Sequence, residues 1–168
     1  MIVLIPAYQP DEQLVLLTKR FSEQTDFSLV VVNDGSSPDK DAVFAALPPE
    51  VTVLRHEKNR GKGCAMKTGM AYIWEHFSHD EGVVVVDADG QHLPEYIVEL
   101  RDAVKIYDIA IGSRFIDQKK PNSLRMFGSN LIQWSIKVTT GKNITDPTSG
   151  MRAFNKRMIA YMANGLNY

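Results

Sequence analysis

Two aspartates that directly follow a short apolar run are the residues in this sequence best suited to chemistry. Asp87 and Asp89 come after residues 83–86 and are separated by Ala88. In an extended segment, residues two positions apart point the same way, so both carboxylates can face one point. Carboxylate oxygens are ligands that Mg²⁺ and Mn²⁺ prefer, and Gln91 could add an amide oxygen. The alternative is a solvated strand end followed by a helix cap.

A second candidate is the glycine-rich segment over residues 59–63, which contains Arg60 and Lys62. Glycines and two cations at the start of a predicted helix favour an anion such as a phosphate. The segment matches neither the P-loop nor the dinucleotide-binding pattern, because Met66 stands where each requires a glycine. The alternative is a glycine-rich turn with solvated lysines.

Asp34 lies in the segment Asn33-Asp34-Gly35-Ser36-Ser37, which closes the second apolar run. A carboxylate at this place could accept hydrogen bonds from a nucleobase or a ribose. On these residues alone, the favoured interpretation is a plain Asp-Gly turn with a serine that caps the next helix.

Other polar residues are weaker candidates. Arg114 and Arg152 could each bind a phosphate through two parallel hydrogen bonds, or could form surface ion pairs. His56, His76 and His79 show no metal-binding spacing, and we predict that they lie at the surface.

The elements that must position these residues alternate along the chain. Short runs rich in β-branched residues predict strands over residues 2–5, 29–32, 51–54 and 83–86, with a weaker fifth strand at 109–111. Such uniformly apolar runs are typical of parallel strands that are buried on both faces. Segments with helical spacing separate them, which predicts an α/β sheet with right-handed crossovers. Past residue 115 we predict a helix over 124–140, a loop over 141–152 and a last helix near 156–163.

Most of the candidate segments lie where this topology predicts ligand binding. In open α/β sheets, ligands bind beyond the carboxyl ends of the strands. Each polar segment described above follows a predicted strand, except the one that contains Arg152.

Composition bounds the class of protein. The chain has 168 residues, which is enough for one domain. Its 19 basic and 20 acidic residues give a net charge of -1. The protein therefore has no overall positive potential that would attract a nucleic acid, and no nucleic-acid partner is expected. The single cysteine, Cys64, excludes an internal disulfide, and no apolar stretch approaches the roughly 20 residues of a membrane span. These features predict a cytoplasmic domain, or the soluble part of a longer protein.

Six segments in order resemble one known family. The chain resembles the family 2 glycosyltransferases with a GT-A fold, in the subgroup of dolichyl- and polyprenyl-phosphate sugar synthases, from residue 2 to about residue 155. The segments are Ile5-Pro6-Ala7-Tyr8, Asn33-Asp34-Gly35-Ser36, Asn59-Arg60-Gly61-Lys62-Gly63, Asp87-Ala88-Asp89-Gly90-Gln91-His92, Gly112-Ser113-Arg114 and Asp146-Pro147-Thr148-Ser149-Gly150-Met151-Arg152-Ala153-Phe154.

The resemblance implies inverting, metal-dependent transfer of a sugar from a donor of the UDP-glucose or GDP-mannose type to a polyprenyl or dolichyl phosphate. It implies a divalent cation, Mg²⁺ or Mn²⁺, and a mostly parallel central sheet flanked by helices. The implied nucleotide-binding residues are Pro6, Ala7, Tyr8, Asp34, Lys62, Asp87, Ala88 and Asp89. The implied metal ligands are Asp87, Asp89 and Gln91. The implied catalytic residues are Asp89, Arg114 and Arg152.

Two departures from the family pattern stand out. The usual Tyr-Asn-Glu near the first strand is replaced by Tyr8-Gln9-Pro10, so an acidic residue beside the nucleotide is missing. The family's catalytic domain also usually continues past the equivalent of Tyr168. We therefore expect residues 1–168 to be one catalytic domain at the N-terminal part of a longer protein. That protein could act at the cytoplasmic face of the membrane and carry a C-terminal membrane domain.

Alternative functions remain open on sequence alone. A family 2 glycosyltransferase that uses a saccharide or protein hydroxyl would want an additional acidic base and usually a Gln-x-x-Arg-Trp element, and neither is visible. A catalytically silent nucleotide-sugar-binding module is a further alternative, although the intact Asp87-Ala88-Asp89 disfavours it. A sugar-1-phosphate nucleotidyltransferase should have a glycine-rich loop after the first strand, where this chain has Pro6-Ala7-Tyr8-Gln9-Pro10.

Overall fold

A computed structural model describes residues 1–23, 27–77, 82–90, 92–112 and 150–164. The predictions for Gln91, His79 and Arg114, and for the helix over 124–140, lie outside the described residues.

The described residues form one six-stranded sheet with helices on both faces. The strands are Ile2–Ala7 (β1), Ser28–Asn33 (β2), Thr52–Arg55 (β3), Val83–Val85 (β4), Ile109–Ile111 (β5) and Arg152–Phe154 (β6). The helices are Glu12–Ser22 (α1), Asp41–Ala45 (α2), Lys62–His76 (α3), Pro94–Ala103 (α4) and Lys156–Asn164 (α5), with a 3₁₀ turn at Pro38–Lys40. The strand order is β3-β2-β1-β4-β6-β5.

The first four strands of the chain are parallel, as the apolar runs predict. β1 pairs with β2 on one side and with β4 on the other, and β2 pairs with β3. The parallel strands therefore end at one edge of the sheet, which we call the carboxyl edge: the edge that carries residues 7–8, 33–37, 56 and 86–90.

β6 departs from the prediction. The sequence predicts a loop up to residue 152 and then a helix, whereas the structure has a three-residue strand that pairs antiparallel with both β4 and β5. A strand of three residues, Arg152-Ala153-Phe154, is too short to show a period of two. Its position was therefore not recoverable from the hydrophobic pattern.

The core lies on both faces of the sheet because the central strands alternate their side chains between two layers. From β1, Val3 and Ile5 pack with α1 and α4, while Ile2 and Leu4 pack with α3 and α5. β3 and β5 are the edge strands, and each of them carries exposed residues, such as Val53 and Ile109. The predicted burial on both faces is thus confirmed for the central strands and is wrong for the edge strands.

Local interactions set where the helices begin and how closely they pack. Asp11 caps α1, since its side chain accepts a hydrogen bond from the Gln13 N–H at 2.9 Å. In α3, a Cβ on Gly69 would lie 2.2 Å from Leu4 Cδ1, so the absence of a side chain lets α3 lie directly against β1. None of the described helices has the length and apolar character needed to cross a bilayer.

Candidate functional site

The carboxyl edge gathers most of the described candidate residues. Tyr8 follows β1, Asp34 follows β2 and Asp87 lies two residues after β4. Lys62 begins α3, and Arg152 begins β6. Because β2, β1 and β4 are neighbours in the sheet, the three strand ends stand side by side.

Asp34 is buried at the centre of a polar cluster. Its Oδ1 accepts hydrogen bonds from His56 Nδ1 at 2.7 Å and from the Arg60 backbone N–H at 3.0 Å. On the other side of the ring, His56 Nε2 lies 2.9 Å from Thr68 Oγ1 in α3. The Asp34 and His56 side chains are only 3% and 6% exposed. The cluster therefore ties the end of β2 to the segment after β3 and to α3.

Two opposed effects act on the Asp34 carboxyl. Burial by itself raises the pKa, because it disfavours the charged form. The Arg60 N–H, the His56 hydrogen bond and charge, and the Gly61 N–H all favour the carboxylate, and together they lower the pKa below its ordinary value. Asp34 is accordingly an anion at neutral pH and acts as a hydrogen-bond acceptor.

The turn after β2 is fixed by its own side chains. Asn33 Oδ1 accepts a hydrogen bond from the Ser36 N–H at 2.9 Å. Ser36 Oγ accepts one from the Gln9 N–H, also at 2.9 Å, which joins this turn to the segment after β1. Gly35 has a φ of +68°, and a Cβ there would lie 2.1 Å from the carbonyl carbon of Lys58. The turn therefore requires glycine both for its backbone angle and for the close approach of another backbone.

The predicted nucleotide-binding residues of β1 lie beside this turn. Ala7 pairs with Asn33 in the β1–β2 register, and its carbonyl accepts a hydrogen bond from the Asp34 N–H at 2.8 Å. Pro6 is half-buried, whereas Tyr8 is 53% exposed at the carboxyl edge. An exposed tyrosine ring next to a buried carboxylate is suited to binding a planar, hydrogen-bonding ligand such as a nucleoside.

The Asp87 carboxylate lies between two other elements. Its Oδ1 accepts a hydrogen bond from Lys62 Nζ at the start of α3. Its Oδ2 lies against the backbone of Gly150, where a Cβ would be only 1.8 Å away. Asp87 is half-exposed, so one side of the carboxylate still faces solvent.

A cavity of about 220 Å³ opens next to this pair. Its lining includes Lys62, Gly63 and Met66 from α3, and Val85, Gly150 and Arg152 from the neighbouring strands and the segment before β6. Arg152 stands opposite Val85 in the β4–β6 register. The structure thus brings two predicted cations, Lys62 and Arg152, to one cavity beside Asp87, which is an arrangement suited to an anion.

The Asp87-Ala88-Asp89 segment differs from the predicted extended conformation. The strand ends at Val85, and Ala88 and Asp89 lie in a turn, with Gly90 following at a φ of +74°. Ala88 packs against the core, and Asp89 is exposed. The simple rule that residues two apart point the same way therefore does not describe this segment.

Two carboxylates from one turn are a partial set of metal ligands. Within the described ranges, no three His, Cys, Asp or Glu side chains are grouped so as to hold a metal ion. Mg²⁺ typically takes one or two carboxylates and completes its shell with waters and substrate phosphates. Asp87 and Asp89 fit that donor set, and Gln91 lies outside the described residues.

His56 and Thr68 are the site residues that the sequence did not identify. His56 is 7% exposed, so its assignment to the surface is wrong, while His76 is exposed as predicted. His56 directly follows β3, and its position after a predicted strand was the signal available in the sequence. Thr68 gave no signal, because it lies in mid-helix.

Comparison with known sequences gives matches over nearly the whole chain. The profile of the family described as "Glycosyl transferase family 2" matches residues 2–162. The undecaprenyl-phosphate mannosyltransferase of Micrococcus luteus is 33% identical over 165 residues, which cover 91% of this chain and 65% of that protein. The polyprenol monophosphomannose synthase of Mycolicibacterium smegmatis is 30% identical over 167 residues, which cover 94% of this chain and 62% of that protein. The chain spans somewhat less than two thirds of the length of these relatives.

A solved structure shares the fold. Glucosyl-3-phosphoglycerate synthase from Mycobacterium tuberculosis, crystallised with Mn²⁺, UDP and phosphoglyceric acid, superposes with a TM-score of 0.67. The superposition covers 94% of this chain and 56% of that one, at 17% sequence identity. At this identity the similarity concerns the arrangement of the strands and helices.

Proposed function

The chain belongs to glycosyl transferase family 2, and on this premise we propose that it carries out the transfer of a sugar from a nucleotide-sugar donor to a polyprenyl or dolichyl phosphate. The observation that carries the proposal is that Lys62 and Arg152 line one cavity at the carboxyl edge, with Asp87 paired to Lys62 beside it. Two relatives, named undecaprenyl-phosphate mannosyltransferase and polyprenol monophosphomannose synthase, support the acceptor class.

The two cations would act on the departing diphosphate. Transfer breaks the bond between the anomeric carbon and the donor diphosphate and forms a bond from that carbon to an acceptor oxygen. Negative charge grows on the diphosphate as the bond breaks, and fixed positive groups stabilise that charge. Lys62 and Arg152, on the lining of one cavity, are placed to do this.

A phosphate acceptor does not require the protein to supply a general base. The second pKa of a phosphate monoester is about 6, so the acceptor is largely a dianion at neutral pH. Its oxygen can attack from the face opposite the leaving diphosphate, which inverts the anomeric carbon, without a general base to remove a proton. A hydroxyl acceptor would require such a base within hydrogen-bond reach.

Asp87 and Asp89 would hold the divalent cation, Mg²⁺ or Mn²⁺, with Gln91 as a further predicted ligand. When bound, the cation supplies additional neutralisation of the diphosphate charge. Lys62 already pairs with Asp87 Oδ1, so the lysine stands where it can exchange the carboxylate for a phosphate oxygen of the donor.

The nucleoside half of the donor would bind at the ends of β1 and β2. Asp34 is a buried anion there, and Tyr8 is an exposed ring. Asp34 would accept hydrogen bonds from the base or the ribose, and Pro6, Ala7 and Tyr8 would contact the same group. Donors of the UDP-glucose and GDP-mannose types both meet these requirements.

Calorimetric titration tests the donor half of the proposal. The chain is titrated with UDP, GDP, UDP-glucose and GDP-mannose, with and without Mn²⁺. We expect metal-dependent binding of one nucleotide and its loss in Asp89→Asn, which keeps the shape of the side chain but removes its charge. Asp102→Asn is the control, because Asp102 is also an exposed aspartate, lies in α4 and pairs with Lys105 away from the carboxyl edge. Equal binding by Asp89→Asn and Asp102→Asn would refute the assigned metal ligands.

A transfer assay on the whole protein tests the acceptor. Labelled donor is supplied with a short-chain polyprenyl phosphate or with the corresponding polyprenol, which differs only in the phosphate. We expect product from the phosphate and none from the alcohol. Product from the alcohol alone would replace the proposal with a hydroxyl-directed transferase.

A further inference from the structure

We propose that His56 is a positioning residue for nucleoside recognition, one that holds the Asp34 carboxylate in the orientation in which it receives the base or ribose of the donor. The inference rests on the proposed function, in which Asp34 is the acceptor for the nucleoside. It adds a residue that acts on the donor site through its hydrogen bond to Asp34.

The geometry around His56 uses both ring nitrogens. Nδ1 lies 2.7 Å from Asp34 Oδ1, and Nε2 lies 2.9 Å from Thr68 Oγ1. We assign a hydrogen to Nδ1, because an ionised carboxylate can only accept. The Thr68 hydroxyl can either donate to Nε2 or accept from it, and so anchors the ring to α3 in either case.

The backbone holds the same pair from the other side. The His56 N–H donates to the Asn33 carbonyl at 2.9 Å, and the Asp34 N–H donates to the Ala7 carbonyl at 2.8 Å. The positions of both residues are therefore fixed by the sheet, and the hydrogen bond between their side chains fixes the remaining torsions. An ionic hydrogen bond in a buried place is short and directional, which suits it to this task.

The Asp34 carboxylate has more hydrogen-bond capacity than its partners within the protein use. The recorded hydrogen bonds from His56 and Arg60 both go to Oδ1. The Gly61 N–H also interacts with this carboxylate. A carboxylate has about four lone-pair sites, so after these three protein donors it can still accept a hydrogen bond from an N–H or hydroxyl of a nucleoside.

The test separates nucleoside binding from diphosphate binding. UMP, GMP, UDP, GDP and inorganic pyrophosphate are each titrated in the presence of Mn²⁺ into the unsubstituted chain and into His56→Leu, His56→Asn and Thr68→Val. Pyrophosphate reports on the Lys62–Asp87–Arg152 side of the site alone. Thermal unfolding of each variant reports on folding.

We expect His56→Leu to weaken binding of the preferred nucleoside mono- and diphosphate by about tenfold or more, equivalent to about 1.4 kcal/mol. Pyrophosphate affinity should stay within about twofold, since its contacts are untouched. His56→Asn carries an N–H donor near the position of Nδ1 and should restore nucleotide affinity to within about threefold. Thr68→Val keeps the Asp34–His56 contact and should weaken nucleotides by only about threefold.

Several results would overturn the role of His56. One is an unchanged nucleotide affinity in His56→Leu; another is an equal loss for nucleotides and pyrophosphate, which would mark a purely structural residue. If His56→Leu does not fold, Thr68→Val decides the matter: a nucleotide affinity equal to that of the unsubstituted chain, or an equal loss for pyrophosphate, contradicts the proposal. Absence of nucleotide binding by the unsubstituted chain would instead overturn the proposed function, and the role of His56 with it.

Discussion

Replacement of Gly150 by alanine should damage the site while leaving the fold nearly intact. A Cβ at this position would lie 1.8 Å from Asp87 Oδ2 and 2.3 Å from Asp87 Cγ. Real Cβ atoms essentially never lie closer than 3.0 Å to another atom. Asp87 Oδ2, at 1.8 Å, must therefore move away by roughly 1 Å or more. The atoms that must move belong to a half-exposed side chain, so rotation of Asp87 is the easiest response.

The rotation has a small cost in stability and a large one in function. The Lys62–Asp87 ion pair is half-exposed on both sides, and pairs of this kind contribute at most about 1 kcal/mol to the free energy of unfolding. Displacement of a site residue by about 1 Å can reduce the rate of a catalysed step by about 10²-fold. We therefore expect Gly150→Ala to lower metal-dependent nucleotide affinity by about tenfold or more, with a loss in unfolding free energy of no more than about 1 kcal/mol.

Gly63→Ala is the matched control for this prediction. Gly63 lines the same cavity, but a Cβ there would have nothing within 4 Å, and alanine is a better helix former near the start of α3. Calorimetric titration with the preferred nucleotide and Mn²⁺, together with urea unfolding, should separate the two variants. If Gly150→Ala binds the metal–nucleotide pair as tightly as Gly63→Ala does, the position of Asp87 does not matter to the site and the reasoning is refuted.

Two further predictions concern stability. Gly69→Ala should destabilise the fold by about 1–3 kcal/mol in urea unfolding, because its Cβ would lie 2.2 Å from Leu4 Cδ1. Leu4→Ala in the same chain should make the Gly69 substitution less costly, and strict additivity of the two would contradict the close contact. For Asp34, the folded-state pKa lies below the unfolded one, so the carboxylate stabilises the fold above the unfolded pKa, and this contribution is lost as the pH falls through the folded pKa. Asp34→Asn should therefore flatten the decline of unfolding free energy below about pH 5, measured by urea unfolding across pH 3–7.

The family and the main features of the fold could be predicted from the sequence, and both predictions are confirmed. Runs such as residues 2–5 and 83–86 are apolar throughout because their strands are central and have helices on both faces. The predicted boundary of β1 is wrong by two residues, because the extended backbone continues past the β-branched run through Pro6 and Ala7. The hydrophobic pattern cannot report such residues, since they are held by backbone pairing with β2.

The location of the candidate residues at the carboxyl edge was predicted in part, for a different physical reason. Charged residues that follow strands, such as Asp34 and Asp87, could be predicted from the sequence, because ligands of parallel α/β sheets bind beyond the carboxyl ends of the strands. His56 occupied such a place too, but a single histidine carries no pattern, and only the fold shows that Asp34 lies beside it. The predicted extended geometry of Asp87 and Asp89 failed because the strand ends before them, and no local signal separates a strand end from a turn two residues later.

The antiparallel strand β6 explains why the segment with Gly150 and Arg152 was the hardest to place. A parallel strand brings to the carboxyl edge the residues that follow it, and this rule identifies Asp34 and Asp87. An antiparallel strand inserted between β4 and β5 runs the other way, so it brings to that edge its own first residue and those that precede it. Arg152 therefore stands opposite Val85, and Gly150 lies against Asp87, although neither follows a predicted strand. One side of the candidate site is therefore built from β6 and the residue positions before it, and not from residues that follow a strand. That side supplies both the Arg152 cation and the backbone that approaches Asp87.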